Sequence, residues 1–147
     1  MILVDNKKEE LQIMVDREPE LTIKNSRIYS KEEMKKPYLC KVRVAFTIFY
    51  QDKQYVILAP KGYDWDGASI PFGFRWIIGA KGSPEFLVPS MVHDRLCENK
   101  GFIDYNRKLS SIIFRELLIA YGVSKFKANI MYEAVDNFQK FMGWGKC

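Results

Sequence analysis

Asp66, His93 and Asp94 are the side chains best suited to chemistry in this chain, and His93 is the only histidine among 147 residues. An imidazole titrates near neutrality. A carboxylate bound to one ring nitrogen leaves the other free to take a proton from water or substrate, the logic of a general base. His93 and Asp94 are consecutive, and helical neighbours point in different directions, so Asp94 does not orient His93. Asp66, or Asp64 before it, is the natural source of the orienting carboxylate. Asp66, His93 and Asp94 also form an alternative ligand set for a divalent cation, where oxygen-dominated coordination suits Mg²⁺, Mn²⁺ or Ca²⁺ better than zinc. A purely structural arrangement is the third reading. Asp66-Gly67 is ordinary turn chemistry, and a lone helical histidine is often a satisfied interior residue. Asp64, Ser69, Trp76 and Arg107 complete the candidate set as binding residues.

Several sharper enzymes fit poorly. A His-Asp phosphohydrolase needs further histidines. The phospholipase A2 arrangement needs a glycine-rich Ca²⁺ loop that residues 64–69 do not supply. Ser69 lacks the G-x-S-x-G elbow of a nucleophilic serine. Cys97 follows His93 at i+4, close enough for a thiolate–imidazole pair, although core packing is the simpler role for it. Cys40, Cys97 and Cys147 are widely spaced and read as free thiols rather than zinc ligands.

The elements that position these residues can be read from periodicity and punctuation. Residues 11–15 and 21–23 read as short strands around a turn broken by Pro19. Ser30 and Glu33 have the spacing of a capping box. Val42, Val44, Phe46, Ile48 and Tyr50 alternate with Arg43, Ala45, Thr47 and Phe49, a period-two strand. Residues 51–53 turn the chain and 54–59 return it, forming a hairpin that leads into the motif loop at 62–71. Residues 72–79 read as an aromatic helical turn. Pro84, with Ser83 as cap, opens a helix reaching about Asn99. Asp104 is the expected cap of a second helix, with Leu109, Ile112, Ile113, Leu117, Ala120 and Tyr121 on one stripe. Gly122 stops it. Ser124 caps a third helix whose expected apolar face is Ile130, Met131, Ala134, Val135, Phe138, Phe141 and Met142. The expected fold is α+β. It is a single domain over 1–147, strand-rich to residue 61 and helical from 83, with a small antiparallel sheet packed on three helices.

Bulk properties agree with a folded domain: 48% of residues are hydrophobic and 14% aromatic. No apolar run approaches the ~20 residues of a membrane span. The opening residues do not read as a signal peptide, which implies a cytosolic protein. The net charge is +5, but basic residues are scattered among acids with no basic run, so a solvated mixed-charge surface is expected rather than a nucleic-acid patch.

Four motifs carry a family resemblance. Residues 66–71 read D-G-A-S-I-P, 92–96 V-H-D-R-L, 106–108 N-R-K and 131–135 M-Y-E-A-V. In order and spacing they resemble domain-of-unknown-function family 1353, found in tailed phages and prophages, over about residues 40–145. Two positions depart from the pattern that the chain resembles. Trp65 stands where that pattern has threonine, and Ser110-Ser111 where it has alanine and an acid. The resemblance implies a phage or prophage origin and no assigned activity. The loss of the acid favours a polar knot, in which Arg107 would pair with Asp94 or Asp66, over a catalyst. The expected function is a non-catalytic accessory protein, either a particle component or a binder of a host factor. It would act in the cytoplasm of the infected bacterium or in the virion. The alternative is a hydrolase-like enzyme built on Asp66, His93 and Asp94, assisted by a divalent cation.

Overall fold

The computed structural model describes residues 1–67, 84–99 and 106–143. The expected helical turn at 72–79, Ser69, Trp76, Ser83, Asp104 and Cys147 lie outside them. The architecture is α+β, with strands in the first half and three helices in the second. The chain divides into two compact units, Met1–Gly67 and Ala68–Cys147.

The first unit holds two antiparallel sheets. Strands β1 (Ile2–Asn6), β2 (Leu11–Val15), β5 (Val44–Tyr50) and β6 (Lys53–Ala59) form one, in the order β1-β2-β5-β6. The period-two pattern places Leu11, Ile13 and Val15 on the same buried face as Val44, Phe46, Ile48, Tyr55, Ile57 and Ala59. Register brings them together in rows, with Ile13 beside Ile48 beside Tyr55, and Val15 beside Phe46 beside Ile57. Phe49 and Val56, on the opposite face, are partly exposed. One face is therefore core and the other surface, as in many antiparallel sheets. Gln51 and Asp52 both take positive φ, +46° and +65°. This is the backbone of a two-residue turn whose twist matches the strands it joins.

Strands β3 (Leu21–Ile23), β4 (Tyr38–Cys40) and β7 (Asp64–Trp65) form the second sheet, in the order β3-β4-β7. Neither β1 nor this sheet as a whole is apparent from periodicity, because strands of two or three residues offer too little alternation. Between β3 and β4 the expected capping box forms. The Glu33 N–H donates to Ser30 Oγ, and the Ser30 N–H donates to Glu33 Oε1. These bonds hold the Glu33 carboxyl below its ordinary range. The helix they open is one 3-10 turn, Glu33–Lys35, because Pro37 follows at once.

The second unit contains α1 (Pro84–Glu98), α2 (Arg107–Ala120) and α3 (Lys125–Met142). Helix α1 packs on α2, and α2 on α3. Proline opens α1, where a missing N–H costs nothing. Pro89 lies inside the same helix and removes one interior bond. The cap of α2 is Asn106, whose side chain accepts from the Leu109 N–H at 2.8 Å. Ser124 caps α3 by accepting from Lys127 N–H, and Gly122 stops α2 at φ +103°. Phe86, Phe114, Leu118, Val123, Ala128, Met131 and Val135 interlock as a core cluster. The expected apolar face of α3 is corrected. Met131 and Val135 are buried, but Phe138 is 42% exposed, Phe141 93% and Met142 55%. The buried face is Ala128, Met131, Tyr132, Val135, Asp136 and Gln139, which at about 100° per residue is turned well round from the expected face and shares only Met131 and Val135 with it.

Candidate functional site

The motif loop begins on β7. Tyr38 pairs with Trp65 and Leu39 with Asp64 in the register of β4 and β7. The Cys40 N–H donates to the Tyr63 carbonyl at 2.8 Å, and the Gly62 N–H to the Cys40 carbonyl at 2.8 Å. Trp65 is 1% exposed. Its ring lies 5.8 Å from that of Tyr63, nearly parallel at 12°, and 5.8 Å from that of Tyr38. The tryptophan at this position is therefore a packing anchor, and it fixes the acids on either side of it.

Asp64 is committed to Lys24. The Lys24 ammonium donates to Asp64 Oδ2 at 2.7 Å and to the Glu33 carbonyl at 3.0 Å, and it sits 5.4 Å from the Tyr29 ring centre. Lys24 is only 7% exposed, and a buried ammonium needs such partners to stay charged. This pair ties β3, β7 and the capping-box turn together. Asp66 is half-buried at the end of the first unit, and Gly67 follows at φ +74°, a conformation that favours glycine.

His93 and Asp94 lie in the middle of α1, in the second unit, at 1% and 4% exposure. Phe86, Leu87, Val88, Met91, Val92, Leu96 and Cys97 are also buried, so α1 is covered around its circumference. The His93 ring meets the Phe114 ring at 5.3 Å and 55°. Burial lowers the His93 pKa to about 4, because a charged imidazolium is poorly solvated in such surroundings. At neutral pH the ring is neutral. Cys97 is disulfide-bonded, which corrects the free-thiol expectation for it and removes the thiolate–imidazole pair. Its sulfur accepts from Gln139 Nε2 of α3 at 3.5 Å. Cys40 is a buried free thiol that donates to the Val42 carbonyl, and burial pushes its pKa up.

Within its own unit, Arg107 pairs with Asp136 rather than Asp94. Its Nε lies 3.4 Å from Asp136 Oδ1, and Lys140 Nζ lies 3.6 Å from Asp136 Oδ2. The Ser111 hydroxyl is 3.1 Å from Asp136 Oδ1 and 3.2 Å from the Arg107 carbonyl, and donates between them. Asp136 is 2% exposed and Ser111 fully buried. Asp136 thus supplies a carboxylate from α3 beside the position where α2 carries Ser111. Reasoning from sequence missed it, because the pairing joins residues 25 apart across two helices. Beside this network, Lys108 Nζ and Arg115 Cζ lie 5.1 and 4.9 Å from the Tyr132 ring centre, a double cation–π contact.

Asp66 and the His93–Asp94 pair therefore belong to different compact units, while Ser69 and Trp76 fall outside the described residues. Among the described residues, no three His, Cys, Asp or Glu side chains are grouped to hold a metal ion. No described helix is long and apolar enough to cross a membrane.

A family model described as a protein of unknown function, DUF1353, matches residues 42–135. The match runs from the β5–β6 hairpin through Asp66, His93 and Arg107 to Val135. An uncharacterized protein, y4jT, from Sinorhizobium fredii (strain NBRC 101917 / NGR234) is 37% identical over 79 residues, which is 54% of this chain and 23% of that protein. The chain thus spans about a quarter of the length of that curated relative. No solved structure matches it. With most of its length under one family model, this chain belongs to the DUF1353 family.

Proposed function

We propose that this protein is a non-catalytic accessory protein of a tailed phage or prophage. In this reading it works by presenting surfaces to a protein partner, as a component of the particle or as a binder of a host factor. Its place is the cytoplasm of the infected bacterium or the virion. The observation that carries the reading is the burial of His93 at 1% exposure within α1. A general base must reach a proton on substrate or water, and an imidazole neutral down to about pH 4 and enclosed by side chains is an interior residue. The other charged groups support the same view. Asp64 is held by Lys24, and Asp136 by Arg107 and Lys140.

Affinity capture of the tagged full chain from phage-infected cells tests the reading. A stoichiometric phage or host protein is expected, retained when His93 is replaced by glutamine. Turnover of ester, phosphodiester, glycan or peptide substrates by the wild type, abolished in a folded His93→Gln variant, would overturn it.

A further inference from the structure

Helix α3 carries two apolar surfaces. Ala128, Met131 and Val135 belong to the core cluster. A second line runs through Phe126, Ile130, Ala134, Phe138 and Met142 in steps of four, with Phe141 beside it. Phe126 is 74% exposed, Phe138 42%, Phe141 93% and Met142 55%, while Ile130 and Ala134 are half-buried. Side chains four apart form a ridge, and two such ridges interdigitate when helices cross at about −50°.

About Ala134 the line sets apolar residues opposite apolar ones. Phe126 and Met142 lie eight residues to either side, Ile130 and Phe138 four, and Lys127 and Phe141 seven. An antiparallel copy with its two-fold axis at Ala134 therefore sets Phe126 against Met142, Ile130 against Phe138, and the Lys127 ammonium against the Phe141 ring, a cation–π pairing. The smallest residue falls at the crossing point, where helix axes must come within about 8–10 Å. An isologous interface puts the same patch on both copies, so that each of these pairings occurs twice. The area over two copies, about 1,000 Å² in total, reaches the lower limit of a specific interface. At about 150–250 Å² per aromatic side chain, these residues leave roughly 500 Å² of apolar surface in water. That is most of the ~800 Å² per partner of a standard interface.

We propose that α3 is a homodimer interface, in which two copies of this chain cross α3 on α3 antiparallel about Ala134. The interface uses none of the buried polar residues on which the proposed function rests.

Sedimentation velocity on the full chain over a hundredfold concentration range tests it. The wild type should be a dimer at the upper end. Phe138→Asp with Phe141→Lys should weaken association by more than tenfold with an unchanged circular dichroism spectrum, since both side chains are exposed. Ala134→Cys should form a covalent dimer under mild oxidant where the wild type does not. Phe126→Cys should not, because its symmetry mate lies about 24 Å away along the axis at 1.5 Å per residue. A monomer at every concentration, a dimer that survives the double substitution, or cross-linking at 126 as efficient as at 134 would each overturn the proposal.

Discussion

At the scale of single residues, His93 and Asp94 are held in the interior and Asp64 is paired with Lys24, and the pH behaviour of His93 follows from its burial. His93 has a folded pKa of about 4 against 6.5 in the unfolded chain. Between those values the unfolded state binds the extra proton, so stability is complete above about pH 6.5 and is lost as the pH falls toward 4. The loss totals about 3 kcal/mol for a shift of this size. Urea unfolding of the wild type and of His93→Gln should show the wild type losing more of its stability between neutrality and about pH 5. Parallel losses in the two proteins would mean that His93 titrates alike folded and unfolded. The carboxylate beside Ser111 permits a second test. Ser111→Asp alone crowds a second carboxylate against buried Asp136 and should cost about 2 kcal/mol. Ser111→Asp with Asp136→Ser moves the charge across the helix pair, where Arg107 still reaches it, and should recover most of that cost. A double variant no more stable than Ser111→Asp would contradict the pairing.

At the scale of elements, what the sequence makes legible is what is encoded locally. The Ser30–Glu33 box, the Ser124 cap, the Gly122 stop and the β5–β6 hairpin each depend on residues within a few positions, and each forms. The hairpin gives an expectation of its own. Gln51 and Asp52 hold positive φ without glycine, so Gln51→Asn with Asp52→Gly should raise stability by about 1 kcal/mol. An unchanged or lower thermal midpoint would show that those side chains contribute more than the turn relieves. Features that depend on distant partners were not legible. Leu39 pairs with Asp64 and Ser111 with Asp136 through tertiary contacts that no local pattern announces. The two faces of α3 merged into one because apolar residues at 130, 131, 134, 135 and 138 do not reveal which neighbour each one meets. The burial of His93 was within reach. Phe86, Leu87, Val88, Met91, Val92 and Leu96 put apolar residues on every side of α1, and a helix apolar all round is an interior helix.

At the scale of the whole molecule, the family match runs across both compact units. The interior of each spends its charged groups on its own cohesion, Lys24 with Asp64 in the first and Asp136 with Arg107 and Lys140 in the second. On the proposed reading, the protein works through its surface. That reading depends above all on His93 being an interior residue with no part in chemistry. Because His93 is the only histidine, its imidazole resonances can be followed by NMR without assignment from about pH 5 to 8, with and without Mg²⁺, Mn²⁺, Ca²⁺ or Zn²⁺. An interior His93 predicts a neutral ring throughout, indifferent to every cation. A titration centred near 6.5, or a metal-dependent shift of the ring, would contradict it and return Asp66, His93 and Asp94 to the role of a working site.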